Sequence, residues 1–204
     1  MKIPGKYIRV LLCLSLAALA VLAFSALSCR EELDIYDKTL RLHILANSDT
    51  ETDQAAKLKV RDAVLSYLSD TLNECDTKQD AENAITDLQS EIEAVARQAL
   101  SREGMDHTVK LTLTHEYYPE RAYEGISLPA GKYSSVRILI GEAEGQNWWC
   151  VLFPQVCTDT ATPPAEKMAQ VGFTPNQIKI LTQQEEPSYR LKFKILELLQ
   201  ALLK

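Results

Sequence analysis

Histidine is scarce in this 204-residue chain, which holds only His43, His107 and His115. His-Glu-x-x-His helices, paired-histidine metal motifs, Gly-x-Ser-x-Gly elbows and glycine-rich phosphate loops are all missing. The familiar zinc-hydrolase, serine-hydrolase and P-loop constructions are therefore excluded, and nothing calls for a cofactor or a metal. A basic block is missing too: 22 Lys+Arg stand against 28 Asp+Glu, a net charge of -6, which argues against nucleic acid as a partner. Acidic residues are absent from residues 1–28, whose only charges are Lys2, Lys6 and Arg9. The remaining 176 residues thus hold 19 basic and 28 acidic side chains, a net charge of -9. What is present is ordinary for a folded protein, at 46% hydrophobic and 25% charged, so neither disorder nor a fibrous repeat is expected.

The basic head adjoins residues 10–27, an uncharged run of 18 residues. A positive start, an apolar run and then small residues have the layout of a secretory signal. Ala26-Leu27-Ser28 suits a signal-peptidase cut before Cys29, whereas a lipid-modified Cys29 is disfavoured because Ala26 stands where a large aliphatic residue is usual. The run also approaches the roughly 20 residues that span a bilayer, so residues 1–28 are read as a signal peptide or an N-terminal membrane anchor. Either reading places residues 30–204 outside the cytoplasm of the cell that makes them.

Export gives the cysteines a setting in which to oxidise. Cys150 and Cys157 enclose six residues. Extended chain would hold their Cα atoms about 23 Å apart, whereas a disulfide needs roughly 5.5 Å. The chain must therefore fold back, and Pro154 is where a strand would stop. A structural bridge closing so short a loop stabilises by about 2–3 kcal/mol and is preferred to a redox site, because the spacing is not Cys-x-x-Cys. Cys75 has no evident partner and is read as a free, partly buried thiol.

Residues 39–157 read as one domain. A strand is expected over 39–46, then a turn at Asn47-Ser48-Asp49-Thr50 in which Ser48 and Glu51 have capping-box spacing. The helix that follows runs to about Ser69 and sets Asp53, Lys57 and Arg61 at i, i+4 steps. A second helix over 77–103 carries the stripe Ala81, Ala84, Ile85, Leu88, Ile92, Val95, Ala96 and Ala99, with Thr77 as cap and Gly104 after its end. Strands are expected over 107–117, 133–140 and 148–153. The order predicts an α+β fold, a single domain with two helices packed on one face of a mainly antiparallel sheet. Residues 158–188 hold four of the eight prolines and read as a connector. Residues 189–204 read as an amphipathic C-terminal helix that docks on the domain, pairs with a partner or lies on a membrane.

Two features invite a functional reading. His115 and Glu116 are adjacent, but on a strand they face opposite ways and cannot share a ligand, while His107 and His115 stand roughly 27 Å apart. Trp148 and Trp149 also face opposite ways, one toward the core and the other toward a second layer or a partner.

Longer motifs carry a resemblance. Leu40-Arg-Leu-His-Ile-Leu-Ala-Asn-Ser-Asp49, Asp53-Gln54 and Lys57-Leu-Lys-Val-Arg-Asp-Ala-Val64 form the first block. Leu128-Pro-Ala-Gly-Lys-Tyr133, Val136-Arg-Ile-Leu-Ile-Gly141, Gly145-Gln-Asn-Trp-Trp-Cys-Val-Leu-Phe-Pro154 and Cys157 form the second. Together with Tyr189-Arg-Leu-Lys-Phe-Lys-Ile-Leu-Glu197, they resemble the stage II sporulation protein R family. The resemblance implies an intercellular signal of endospore formers, made in the forespore and exported to the space between the two membranes. There it triggers a membrane-embedded aspartic protease that processes the sigma-E precursor. On that reading the chain is a ligand, not an enzyme.

Motif positions Arg41, His43, Asn47, Asp49, Lys57, Arg61, Trp148 and Trp149 are the candidate partner contacts, although the resemblance establishes none as a contact. Helix capping for Asn47 and Asp49, a solvated face for Lys57 and Arg61, and core packing for the tryptophans are the competing roles. Two other functions remain open: an exported envelope hydrolase that assembles His43, Asp49 and Arg61, and a membrane-tethered binding module without catalysis.

Overall fold

The computed structural model describes residues 12–16, 19, 34–156 and 162–182. Most of the export segment, Cys29, Cys157 and the helix expected over 189–204 lie outside them. Among the described residues no helix is long and apolar enough to cross a membrane.

The central strand is β1 (Leu40–Leu45), with all six residues buried. Alternation sends Leu40, Leu42 and Ile44 into the main core and turns Arg41 and His43 to the opposite face. Burial on both faces requires a layer on each side, and the structure supplies both. Strands β2 (Val109–Tyr118), β5 (Gly131–Ile140) and β6 (Asn147–Phe153) complete a sheet of order β2-β5-β1-β6. The α+β class holds, but the sheet is mixed: β1 pairs parallel to β5, and the other two pairings are antiparallel. The parallel pair is possible because a long connection, which includes helices as well as β2, separates β1 from β5.

Three helices, not two, cover the first face: α1 (Glu51–Asn73), α2 (Lys78–Asp87) and α3 (Gln89–Arg102). The N-cap of α1 is Thr50, whose side chain accepts from the Asp53 N–H, so the capping residue lies two positions after Ser48. This helix also runs four residues past Ser69. Buried Ala56, Val60, Val64, Leu68 and Leu72 form its inward stripe, each fully buried large apolar side chain stabilising by about 1.5–3 kcal/mol. Thr77 and Asp80 form the capping box of α2. The expected single helix over 77–103 is interrupted at Leu88, which is at once the C-cap of α2 and the N-cap of α3. Both halves still bury the predicted stripe, through Ala81, Ile85, Ile92, Ala96 and Ala99.

On the second face a hairpin of β3 (Arg121–Tyr123) and β4 (Ile126–Leu128) interrupts the connection from β2 to β5. Gly125, at φ 79°, makes its turn. The segment read as a connector instead folds in part, into α4 (Pro164–Gln170) and α5 (Pro175–Thr182). Met168, Phe173, Ile180 and Leu181 pack there with Ile35, Ile126, Leu128 and Val151 in a second, smaller core. Strand β6 ends at Phe153, before a cis Phe153–Pro154 bond, as the position of Pro154 predicted.

Candidate functional site

The two motif blocks meet where the loop after β1 faces the loop between β5 and β6. Asn47 Nδ2 donates to Asp53 Oδ2 at 2.8 Å, while its Oδ1 accepts from the Glu142 N–H at 3.1 Å. Asp49 Oδ1 accepts from the Gln146 N–H at 2.7 Å. Lys57 Nζ donates to the Gln146 carbonyl at 2.8 Å and to Gln54 Oε1 at 2.6 Å. Two glycines allow the approach: a Cβ on Gly141 would overlap the Asn47 carboxamide, and one on Gly145 would overlap the Ser48 backbone. Asp53 also accepts from Ser48 and lies 3.2 Å from His107 Nε2. The Ser48 and Asn47 hydrogen bonds, aided by His107, hold its carboxyl below the usual range against the effect of burial. Burial pushes the Lys57 ammonium below the usual lysine range, with Asp49 opposing.

Asp53, Lys57 and Arg61, expected as a charged ladder, do not pair with one another. Arg61 Nε donates to Asp62 at 2.7 Å, and its guanidinium lies 5.2 Å above Trp148, which packs against the main core. Trp149 takes the opposite face beside His43, under the Arg121 guanidinium at 4.4 Å. The expected split of the two indoles therefore holds.

That second face carries a polar network around the central strand. His43, 6% exposed, places Nδ1 3.0 Å from Glu116 Oε2 and Nε2 2.7 Å from Asn147 Oδ1. Ser135 donates to Glu116, and Tyr118 Oη lies 2.7 Å from Ser135 Oγ. Burial raises the Glu116 affinity for a proton, but hydrogen bonds from His43 and Ser135, with the charges of His43 and Arg137, outweigh it and leave the group below its usual range. Burial pushes the Tyr118 phenol well up, so it stays neutral. His115, as expected, points the other way, with Nε2 3.2 Å from Ser134 Oγ.

Arg41, fully buried, lies deeper on the same face, and Tyr118, Tyr123 and Tyr133 surround its guanidinium. Of the eight predicted contacts, the structure thus joins Asn47, Asp49 and Lys57 in one junction and sets Arg41, His43 and Trp149 on the second face. Arg61 and Trp148 stack on the helix side. It does not gather His43, Asp49 and Arg61 into one cleft: each has different partners. The two hydroxyls that donate to Glu116, the His43 partner, belong to Ser135 and Tyr118, and both residues are fully buried and so closed to substrate. Among the described residues no group of three or more His, Cys, Asp or Glu side chains could hold a metal ion.

Sequence reasoning missed Glu116 as the His43 partner, although the alternation of β2 already turned it away from His115. It also missed Ser135, Tyr118 and Tyr123, which carried no motif signal. Cys75 is a free, partly buried thiol, and burial pushes its pKa up. Cys150 is buried in β6, and Cys157, its expected partner, lies outside the described residues.

Fold and site define an α+β domain whose polar motif residues mostly lock its own loops and strands together. The family model described as stage II sporulation protein R matches residues 36–162, which include both motif blocks. Stage II sporulation protein R of Bacillus subtilis (strain 168) is 34% identical over 151 residues, covering 74% of this chain and 67% of that protein. No solved structure matches the chain. The chain belongs to the stage II sporulation protein R family.

Proposed function

We propose that this chain is an exported signal of endospore formation. In this reading it is made in the forespore and exported into the space between forespore and mother cell. There it activates a membrane-embedded aspartic protease that processes the sigma-E precursor. The observation that carries the reading is the family match over residues 36–162. The basic head and apolar run of residues 1–28 add the means of export.

The chain acts as a ligand, and the catalytic aspartates belong to the protease. Binding favours the active arrangement of the protease through higher affinity for that state than for the inactive one. Among the candidate contacts, Arg41, His43 and Lys57 are buried, whereas Asn47, Asp49, Arg61, Trp148 and Trp149 retain exposed surface. These five are the reachable part of the set. In the exported compartment Cys150 and Cys157 pair and pin the chain after β6.

Reconstitution in a non-sporulating cell tests the reading. The protease and the sigma-E precursor are expressed with and without this chain, and processing is followed by immunoblot. Processing is expected only when the chain is present. Equal processing in both cells overturns the proposal.

A further inference from the structure

Among the described residues, strand β2 is at the edge of the sheet, with β5 as its one neighbour. The Gly141 N–H donates to the Thr108 carbonyl at 2.8 Å, which fixes the parity of the strand. Even-numbered residues bond to β5, and odd-numbered residues turn their backbone groups outward. At Leu111 those outward groups are covered. Its N–H donates to Glu93 Oε1 at 2.8 Å, and its carbonyl accepts from Gln89 Nε2 at 3.1 Å, so two side chains of α3 imitate a neighbouring strand.

Beyond Leu111 the imitation stops. The outward N–H and C=O groups of Leu113, His115 and Tyr117 have no hydrogen-bond partner among the described residues. The side chains at the two ends of this stretch are also bare, Leu113 at 42% and Tyr117 at 66% exposure. Proteins normally blunt such an edge with charge, proline or a bulge, because it templates the addition of another strand. Here α3 blunts one residue and leaves the next three outward positions open.

The geometry restricts the occupant. Backbone donors and acceptors recurring about every 6.8 Å along a strand match only another extended backbone. A second folded copy pairing over five residues would cover on the order of a few hundred Å² per partner, well under the ~800 Å² of a stable interface. A flexible segment has no such requirement, since it adds main-chain bonds along its whole length.

We propose that residues 113–117 dock an extended segment of a partner polypeptide as a fifth strand of the sheet. The outward backbone groups of Leu113, His115 and Tyr117 hold its main chain, and apolar side chains at alternate positions of the segment lie on Leu113 and Tyr117. The choice of partner in the test rests on the signalling role proposed above; the open edge does not.

The test uses the exported chain and membranes with or without the protease. The double variant Leu113→Lys/Tyr117→Lys charges the edge, and Leu113→Pro removes one outward N–H while sparing the ladder to β5. Circular dichroism and a thermal melt establish which variants fold; the lysine variant keeps the test open if the proline variant does not. Wild-type chain is expected to bind protease-bearing membranes at least tenfold better than either folded variant. Amide exchange at residues 113, 115 and 117 is expected to slow on binding. Equal binding by the lysine variant overturns the proposal. So does a wild-type dimer in sedimentation that the lysine variant converts to monomer, because the edge is then a contact between copies. A wild-type chain that binds but elicits no processing counts against the signalling reading, not against the edge.

Discussion

Arg41 Nη2 donates to Tyr123 Oη at 2.6 Å, and this bond ties the β3–β4 hairpin to the central strand. The same guanidinium donates through Nε to the Cys150 carbonyl at 3.1 Å and lies 4.2 Å from the Tyr118 ring centroid. No carboxylate forms a salt bridge with it among the described residues. Aromatic faces and a backbone carbonyl replace the counter-ion, an arrangement that depends on the planar fork of arginine. These contacts accommodate a buried arginine in β1, a strand whose one other polar residue is His43.

Arg41→Ala is expected to destabilise the exported domain by about 3 kcal/mol or more, since it leaves a cavity and removes the hydrogen bonds from Arg41 to the Cys150 carbonyl and the Tyr123 hydroxyl. Arg41→Lys keeps the charge but not the fork and is expected to lie closer to alanine than to wild type. Urea unfolding of residues 29–204 measures both; a loss below about 0.5 kcal/mol for alanine contradicts the keystone role.

Gly141 has φ 59° and its α-carbon faces the Asn47 side chain. Gly141→Ala is expected to cost about 2 kcal/mol, part of it from backbone strain and part from overlap with Asn47. Asn47→Ala removes the overlap along with its own hydrogen bonds. The double variant is therefore expected to cost less than the two single variants added together. Additive losses in denaturant melts count against contact between these two motif positions.

Acid should weaken the fold through Asp53 and Glu116. Both are held below the usual carboxylate range, so the unfolded chain takes up their protons at higher pH than the native one. Their stabilisation is full above the ordinary carboxylate range and is lost as pH falls through the lower native values. Asp53→Asn and Glu116→Gln are each expected to give a shallower acid limb in a plot of unfolding free energy against pH. An unchanged limb in both variants contradicts the assigned hydrogen bonds.

Arg61 is half-buried at the rim, stacked on Trp148 and bonded to its neighbour Asp62. Such an ion pair stabilises little, so Arg61→Ala is expected to change stability by no more than about 0.5 kcal/mol. As a reachable member of the proposed contact set, it is nevertheless expected to reduce precursor processing. Full processing by this variant removes Arg61 from the binding surface.

Much of the fold was legible because it rests on local patterns. The alternation of Leu40, Leu42 and Ile44, the Thr77 cap and the stop at Pro154 each follow from neighbouring residues. The stripe over 81–99 located its helices but not the break at Leu88, because both halves share one buried face. The parallel pairing of β1 with β5 depends on residues more than ninety positions apart and left no local trace. The hairpin at 121–128 is too short for a period to show, and prolines at 164 and 175 marked helix starts where a connector was expected. For the site, motif residues were found but their direction was not. Asn47 and Asp49 face loop amides that sequence spacing does not reveal, and Glu116 reaches His43 only through the tertiary fold.

The most direct test of the signalling role compares the full chain with a version lacking residues 1–28, each expressed with the protease and the sigma-E precursor. Immunoblotting for processed precursor is the readout, at matched levels of folded chain. The full chain is expected to drive processing and the truncated chain, retained inside the cell, is not. Equal processing with both versions, or with neither chain present, contradicts an exported signal.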